Sequence, residues 1–233
     1  MTHIHTEEHF SGSEIVRDIV IGMSDGLTVP FALAAGLTGA SQGNSVIVTA
    51  GLAEIVAGSI AMGLGGYLAG KTEIEHYVSE LKREYLEVEM YPEKEKQEVR
   101  EVFEEYGLSK ESTEAIVNEL SLDKDKWVKF MMRYELGLDQ PNINRAHHSA
   151  LAIGLSYVVG GIVPLSPYFS FFTDNPNDGF AYSCYVTAIC LFAFGFFKTK
   201  IIGQPPLMGA FKTLFIGAIA AGSAYIIARL ISG

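Results

Sequence analysis

The charges of this chain are confined to one stretch. Residues 71–145 carry 12 Lys+Arg and 19 Asp+Glu, 31 charges in 75 residues, while the other 158 residues carry 13. A water-exposed surface needs polar side chains throughout, so two physical environments are joined in one polypeptide. The charge-poor part has uncharged runs at 26–53, 55–70, 179–197 and 213–228, and another at 146–173 apart from His147 and His148. A hydrocarbon core about 30 Å thick takes roughly 20 apolar residues as helix, and only helices or closed barrels satisfy their backbone within it. Period-two alternation is absent, which excludes a barrel.

The runs predict spans near 17–40, 45–70, 147–171, 179–199 and 207–230. The expected fold is therefore all-α: a polytopic membrane protein of five transmembrane helices, with a small helical bundle inserted between spans 2 and 3. The expected organisation is a tail at 1–16, spans 1 and 2 over 17–70, an acidic domain over 71–145 and spans 3 to 5 over 146–233. The first 16 residues are polar and acidic and lack the pattern of a secretory leader, so span 1 is expected to be retained.

Lys and Arg in short connections set orientation. Ser41–Asn44 and Thr173–Asp178 have none, whereas the insert has 12, Lys198 and Lys200 lie between spans 4 and 5, and Arg17 precedes span 1. The N-terminus and insert are thus expected in the cytosol and the C-terminus on the opposite side. Cys184 and Cys190 are the only cysteines; six helical residues turn them about 240° apart, so they cannot bridge each other. The His3, His5 and His9 cluster offers ligands for a metal, but a mobile terminal tail is the commoner reading.

Two acids remain inside the apolar runs. Asp25 lies within Val20–Leu33 and Glu54 between Leu52 and Ile55. A carboxylate at that depth costs at least a few kcal/mol and faces a cavity, a partner or an ion. Pro30 removes the N–H that would bond the Gly26 carbonyl, leaving a polar oxygen near Asp25; a packing kink beside a protonated Asp25 is the plainer alternative. Gly22 and Gly26 form a G-x-x-x-G pair, and span 2 is rich in small residues, both suited to close helix contact. Met62, two turns beyond Glu54, offers a soft thioether suited to late first-row metals, although a membrane Met is ordinarily filler.

Within the insert, span 2 is expected to continue as helix to Met90 and break at Pro92. Further helices are expected from Glu93 to Gly107, from an N-cap at Ser109, and over Asp123–Leu136. Acids recur at i,i+3: Glu84 with Glu87, Glu95 with Glu98, Glu98 with Glu101, Glu101 with Glu104; Met131 and Glu135 stand at i,i+4. Converging carboxylates hold divalent ions in helical bundles. By spacing alone a solvated acidic face is the commoner reading.

The run Ser24-Asp-Gly-Leu-Thr-Val-Pro-Phe-Ala-Leu-Ala-Ala-Gly-Leu37 and the run Glu54-Ile-Val-Ala-Gly-Ser-Ile-Ala-Met-Gly-Leu-Gly-Gly-Tyr67 resemble the vacuolar iron transporter family, as do Lys82–Glu87, Pro164–Tyr168 and Thr199–Gly203. The resemblance covers nearly the whole chain. It implies a homodimer in the vacuolar membrane that exchanges cytosolic Fe²⁺ for vacuolar protons, with Asp25, Glu54 and Met62 on the pathway. It also implies that Glu84, Glu87, Glu95, Glu98, Met131 and Glu135 bind metal in the cytosolic domain. Fe²⁺ is then substrate rather than cofactor, and such sites also accept Mn²⁺, Zn²⁺ or Co²⁺. Protons, membrane lipid and a second copy are the other partners, with nothing pointing to nucleic acid. Glu14 and Asp18 fit a cation entrance or plain surface solvation. A membrane-bound di-iron enzyme, suggested by Glu73-Ile-Glu-His76, lacks the second E-x-x-H it needs and leaves Asp25 and Glu54 idle. A metal sensor leaves them equally idle, and a Mn²⁺ carrier is the nearer alternative.

Overall fold

The computed structural model describes residues 12–169, 172–173 and 175–232. The histidines at 3, 5 and 9 lie outside the described residues. Eight α-helices account for nearly all of them: α1 (Gly12–Gly39), α2 (Asn44–Met90), α3 (Pro92–Glu105), α4 (Lys110–Leu120), α5 (Lys124–Tyr134), α6 (Arg145–Leu165), α7 (Pro176–Ile201) and α8 (Pro206–Ser232). A 3₁₀ turn, Ser166–Tyr168, extends α6. No strand occurs among the described residues. Five of the helices are long and apolar enough to cross a membrane: Glu14–Gly39, Asn44–Met90, Arg145–Tyr168, Pro176–Ile201 and Pro206–Ser232.

The chain divides into two compact units, one built from the residues up to Tyr67 together with Ala146 onward, the other Leu68–Arg145. In the first unit, α1 packs on α7 and α8, and α7 on α8. Its cores are small: Ala34, Ile47, Ile55, Leu165 and Tyr168 form one, Phe31, Ala35 and Ala221 another. Outside, Leu52, Val56, Ile60, Leu64 and Leu68 recur every four residues along α2 and are all exposed. An apolar stripe of that length turned outward suits hydrocarbon rather than water.

Glycine sets how closely these helices approach. A Cβ at Gly26 would overlap the carbonyl of Tyr157 and lie 2.9 Å from its Cα, so α6 rests directly on the α1 backbone there. A Cβ at Gly58 would come within 2.7 Å of the Tyr157 ring. The same tyrosine is thus wedged between α1 and α2, which is what small-residue faces allow. Pro30 lies inside α1, which continues through it as helix.

The second unit is held by Val88, Val99, Val117, Trp127, Val128, Met131 and Met132. Its punctuation follows local chemistry. Pro92 cannot donate to the preceding turn and opens α3 at its first residue, one earlier than the sequence suggests. Ser109 caps α4 by accepting from the Ser112 N–H at 3.3 Å, and Asp123 caps α5 by accepting from the Lys126 N–H at 3.2 Å. Gly107 and Gly137, with φ of +78° and +64°, close α3 and the segment after α5.

Candidate metal and ion sites

Within the first unit, Asp25 on α1 is half-buried and adjoins the Gly26 contact with Tyr157. Glu54 on α2 is half-buried too, and the Tyr157 hydroxyl of α6 donates a hydrogen bond to its Oε1. Its Oε2 is buried with no partner among the described residues. A carboxylate left with one empty oxygen in an apolar setting is an acceptor for a cation, a proton or a donor from outside. Glu54 also stands in an open groove of about 500 Å³, otherwise lined by residues of α1 and α8 such as Thr28, Ala32, Leu33, Ala220 and Ala224. Three helices therefore bring Asp25, Tyr157 and Glu54 into one neighbourhood. Met62, eight residues on, lies about 12 Å further along the axis of α2, too far to share one coordination sphere with Glu54.

Tyr157 is the residue that sequence reasoning missed. It is 2% exposed, and a buried phenol needs an acceptor, but nothing along the chain says which of two membrane acids supplies it. Asp18 departs from the surface-solvation reading: it is 2% exposed.

The second unit gathers three of the predicted acids. Each of Glu84, Glu95 and Glu135 offers a carboxylate oxygen, and these three oxygens all lie within 4.8 Å of one another. Glu84 comes from α2, Glu95 from α3 and Glu135 from the residue that ends α5. The break at Tyr91–Pro92 folds α3 back over α2, so that Val88 and Val99 share a core and the two acids one turn away meet. Glu84 and Glu95 are each 1% exposed. Their inner oxygens, Oε2 of Glu84 and both of Glu95, have no hydrogen-bond partner among the described residues.

Burial pushes the Glu95 carboxyl up to about 7, helped by the charge of Glu98. Glu135 rises to about 7 for the same two reasons; the residue as a whole is exposed, and its raised value belongs to the inward end of its side chain. Burial raises Glu84 as well, with Glu87 adding and Arg83 opposing. The arrangement favours neutralisation from outside, by protons or by a cation. Glu87 lies 3.6 Å from Arg83 and Glu98 binds Lys94 at 2.8 Å, and the same two cations stand 3.8 Å from Glu84 and 3.9 Å from Glu95. Met131 is fully buried in the core, one turn before Glu135. Glu73 and His76 are both exposed, and Glu73 lies 3.9 Å from Arg145.

Membrane helices that bury carboxylates at close helix contacts, joined to an acidic helical bundle with a three-carboxylate cluster, define a polytopic membrane protein equipped to handle cations. The VIT family model matches residues 16–229, and this chain belongs to that family, which sets it among transporters and not enzymes. It is 49% identical over 227 residues to Vacuolar iron transporter 1 of Arabidopsis thaliana, covering 97% of this chain and 90% of that protein. Identity to Vacuolar iron transporter 1 of Oryza sativa subsp. japonica is 48% over 229 residues, 98% and 90% of the two chains. Protein CCC1 of Saccharomyces cerevisiae is 36% identical over 225 residues, 93% of this chain and 69% of the yeast protein.

Proposed function

We propose that this protein carries Fe²⁺ from the cytosol into the vacuole in exchange for protons, as a homodimer whose acidic domain captures the metal first. The metal and the compartment follow from the names of its relatives, several of them vacuolar iron transporters at close to half identity. The observation that carries the mechanism is Glu54: one oxygen takes the Tyr157 hydroxyl and the other is buried without a partner. Such a group holds a proton or a metal but not both, and that exclusivity couples their opposite movement. Asp25 is the second exchanging carboxylate, and Met62 is a soft contact further along the pathway. The groove beside Glu54 supports the dimer, because an acid in an apolar groove calls for cover by a second copy. In the acidic unit Glu84, Glu95 and Glu135 hold the ion directly, while Glu87, Glu98 and Met131 complete its surroundings. The Lys/Arg asymmetry supports a cytosolic N-terminus and acidic unit and a luminal C-terminus.

Flux into liposomes tests this reading. An inside-acid gradient should accelerate Fe²⁺ uptake, with Mn²⁺ the nearest competitor in a metal panel, and Asp25→Asn or Glu54→Gln should abolish the acceleration. Uptake indifferent to the gradient would overturn the exchange.

A further inference from the structure

Past Asp178 in the first turn of α7, the last two helices hold cations and no acid. Residues 179–233 contain Lys198, Lys200, Lys212 and Arg229 and not one Asp or Glu. The three lysines stand at one end of the α7–α8 hairpin, around the turn at Gly203, whose φ of +75° lets the chain reverse there. Both helices are of membrane length, so this end lies at a membrane surface.

Two of the three lysines line a cavity of about 280 Å³. Lys198 enters from α7, where it is half-buried with its ammonium over the Phe194 ring, and Lys212 enters from α8. Gln204 adds an amide from the connection. Thr199 and Thr213 form walls but give their hydroxyl protons to the carbonyls of Gly195 and Gly209, at 2.7 and 2.9 Å. The donors left to meet a ligand are therefore two ammonium groups and one amide. Neither Lys198 nor Lys212 makes an ion pair among the described residues. The cavity is not polar throughout: Met208 and Ile216 of α8 also line it, and Ile216 lies one turn deeper than Lys212.

We infer that this cavity is a binding site for a phosphate-bearing lipid headgroup. Lys198 and Lys212, from different helices, line one small space at the level where lipid phosphates lie, and basic pockets between membrane helices recognise anionic headgroups in this way. The apolar side of the cavity runs toward the hydrocarbon, where the acyl chains of the same molecule would follow. A free phosphate or soluble inositol phosphate shares the headgroup chemistry but makes no use of Met208 and Ile216. Lysines that only snorkel to the surface need no shared cavity, and exposed Lys200, outside the cavity, supplies that comparison in the same hairpin.

The test uses the full chain in detergent micelles and reads thermal stabilisation against added dioctanoyl phosphatidylinositol phosphate. Saturable stabilisation is expected, with none from dioctanoyl phosphatidylcholine. Half-saturation should rise about fivefold in Lys212→Gln and about thirtyfold in Lys198→Gln with Lys212→Gln, and stay unchanged in Lys200→Gln. Lys212 is exposed, so its single variant is expected to fold and suffices if the double variant does not. Inositol phosphate without acyl chains should stabilise much more weakly; an equal response would overturn the lipid assignment in favour of a soluble anion. Equal weakening by Lys200→Gln and Lys212→Gln, or no weakening by either, would overturn the site itself.

Discussion

Metal capture by the acidic unit should be governed by pH far above the range in which ordinary glutamates titrate. Glu95 and Glu135 are held near 7, and Glu84 is raised in the same cluster. An ion that needs the charged forms must displace whatever protons the cluster holds. A group with a pKa of about 7 is about nine-tenths protonated at pH 6 and half protonated at pH 7. Each such group therefore weakens binding about elevenfold at pH 6 but about twofold at pH 7. For two of them the apparent affinity should fall about thirtyfold between pH 7 and pH 6, and about a hundredfold from pH 8 to pH 6. Ordinary glutamates near 4.3 would leave it almost unchanged over that range. Because the groups interact, these values belong to the cluster rather than to single residues. Calorimetry with Mn²⁺ on the full chain, repeated in buffers of different ionisation enthalpy, counts the protons released: about one per ion at pH 7 and about two at pH 6. Glu84→Gln with Glu95→Gln should remove both the binding and the proton release. A binding enthalpy independent of buffer at both pH values would refute the reasoning, because the ion would then enter carboxylates that were already charged.

The same groups fix the sign of stability without metal. Their folded values lie above those of the unfolded chain, so stability should fall as pH rises from about 4.5 through 7, and a divalent ion should restore it; thermal scans with and without Mn²⁺ check this. Tyr157→Phe leaves both Glu54 oxygens unpaired at a cost of about 1–3 kcal/mol, and should slow gradient-driven uptake while leaving metal binding by the acidic unit intact in calorimetry. Gly26→Leu would drive its side chain into the Tyr157 backbone, and size-exclusion profiles in detergent should show loss of folded protein, whereas Gly65→Ala, where a Cβ meets open space, should be accommodated. A protease-sensitive tag within residues 107–111 should lie on the opposite side of sealed vesicles from one at the C-terminus.

Much of this architecture is legible along the chain because its cause is local. Charge exclusion marks the membrane helices, Pro92 marks the break, and Ser109 and Asp123 announce the helices that they cap. The site residues divide differently. Asp25 and Glu54 stand out because a lone acid in an apolar run has few explanations, but Tyr157 does not, since its role depends on glycines of two other helices that admit its ring. The acidic pairs all look alike at i,i+3 spacing. What separates Glu84, Glu95 and Glu135 from their neighbours is that each stands one turn from a buried core residue, Val88, Val99 and Met131. That signal needs the core to be known, and the core forms only when α3 folds back.

On the metal-binding role proposed for this unit, the register in which the carboxylates share a helical stripe with the core makes packing a determinant of ion chemistry. Trimming Val99, which offers no ligand atom, would let α3 settle differently on α2 and move Glu95 with it. The spacing of the three oxygens, and hence the ionic radius that they suit, is set by methyl groups a turn away. Substitutions in the apolar interior of this unit would be inherited as changes in metal preference, with every acid still in place.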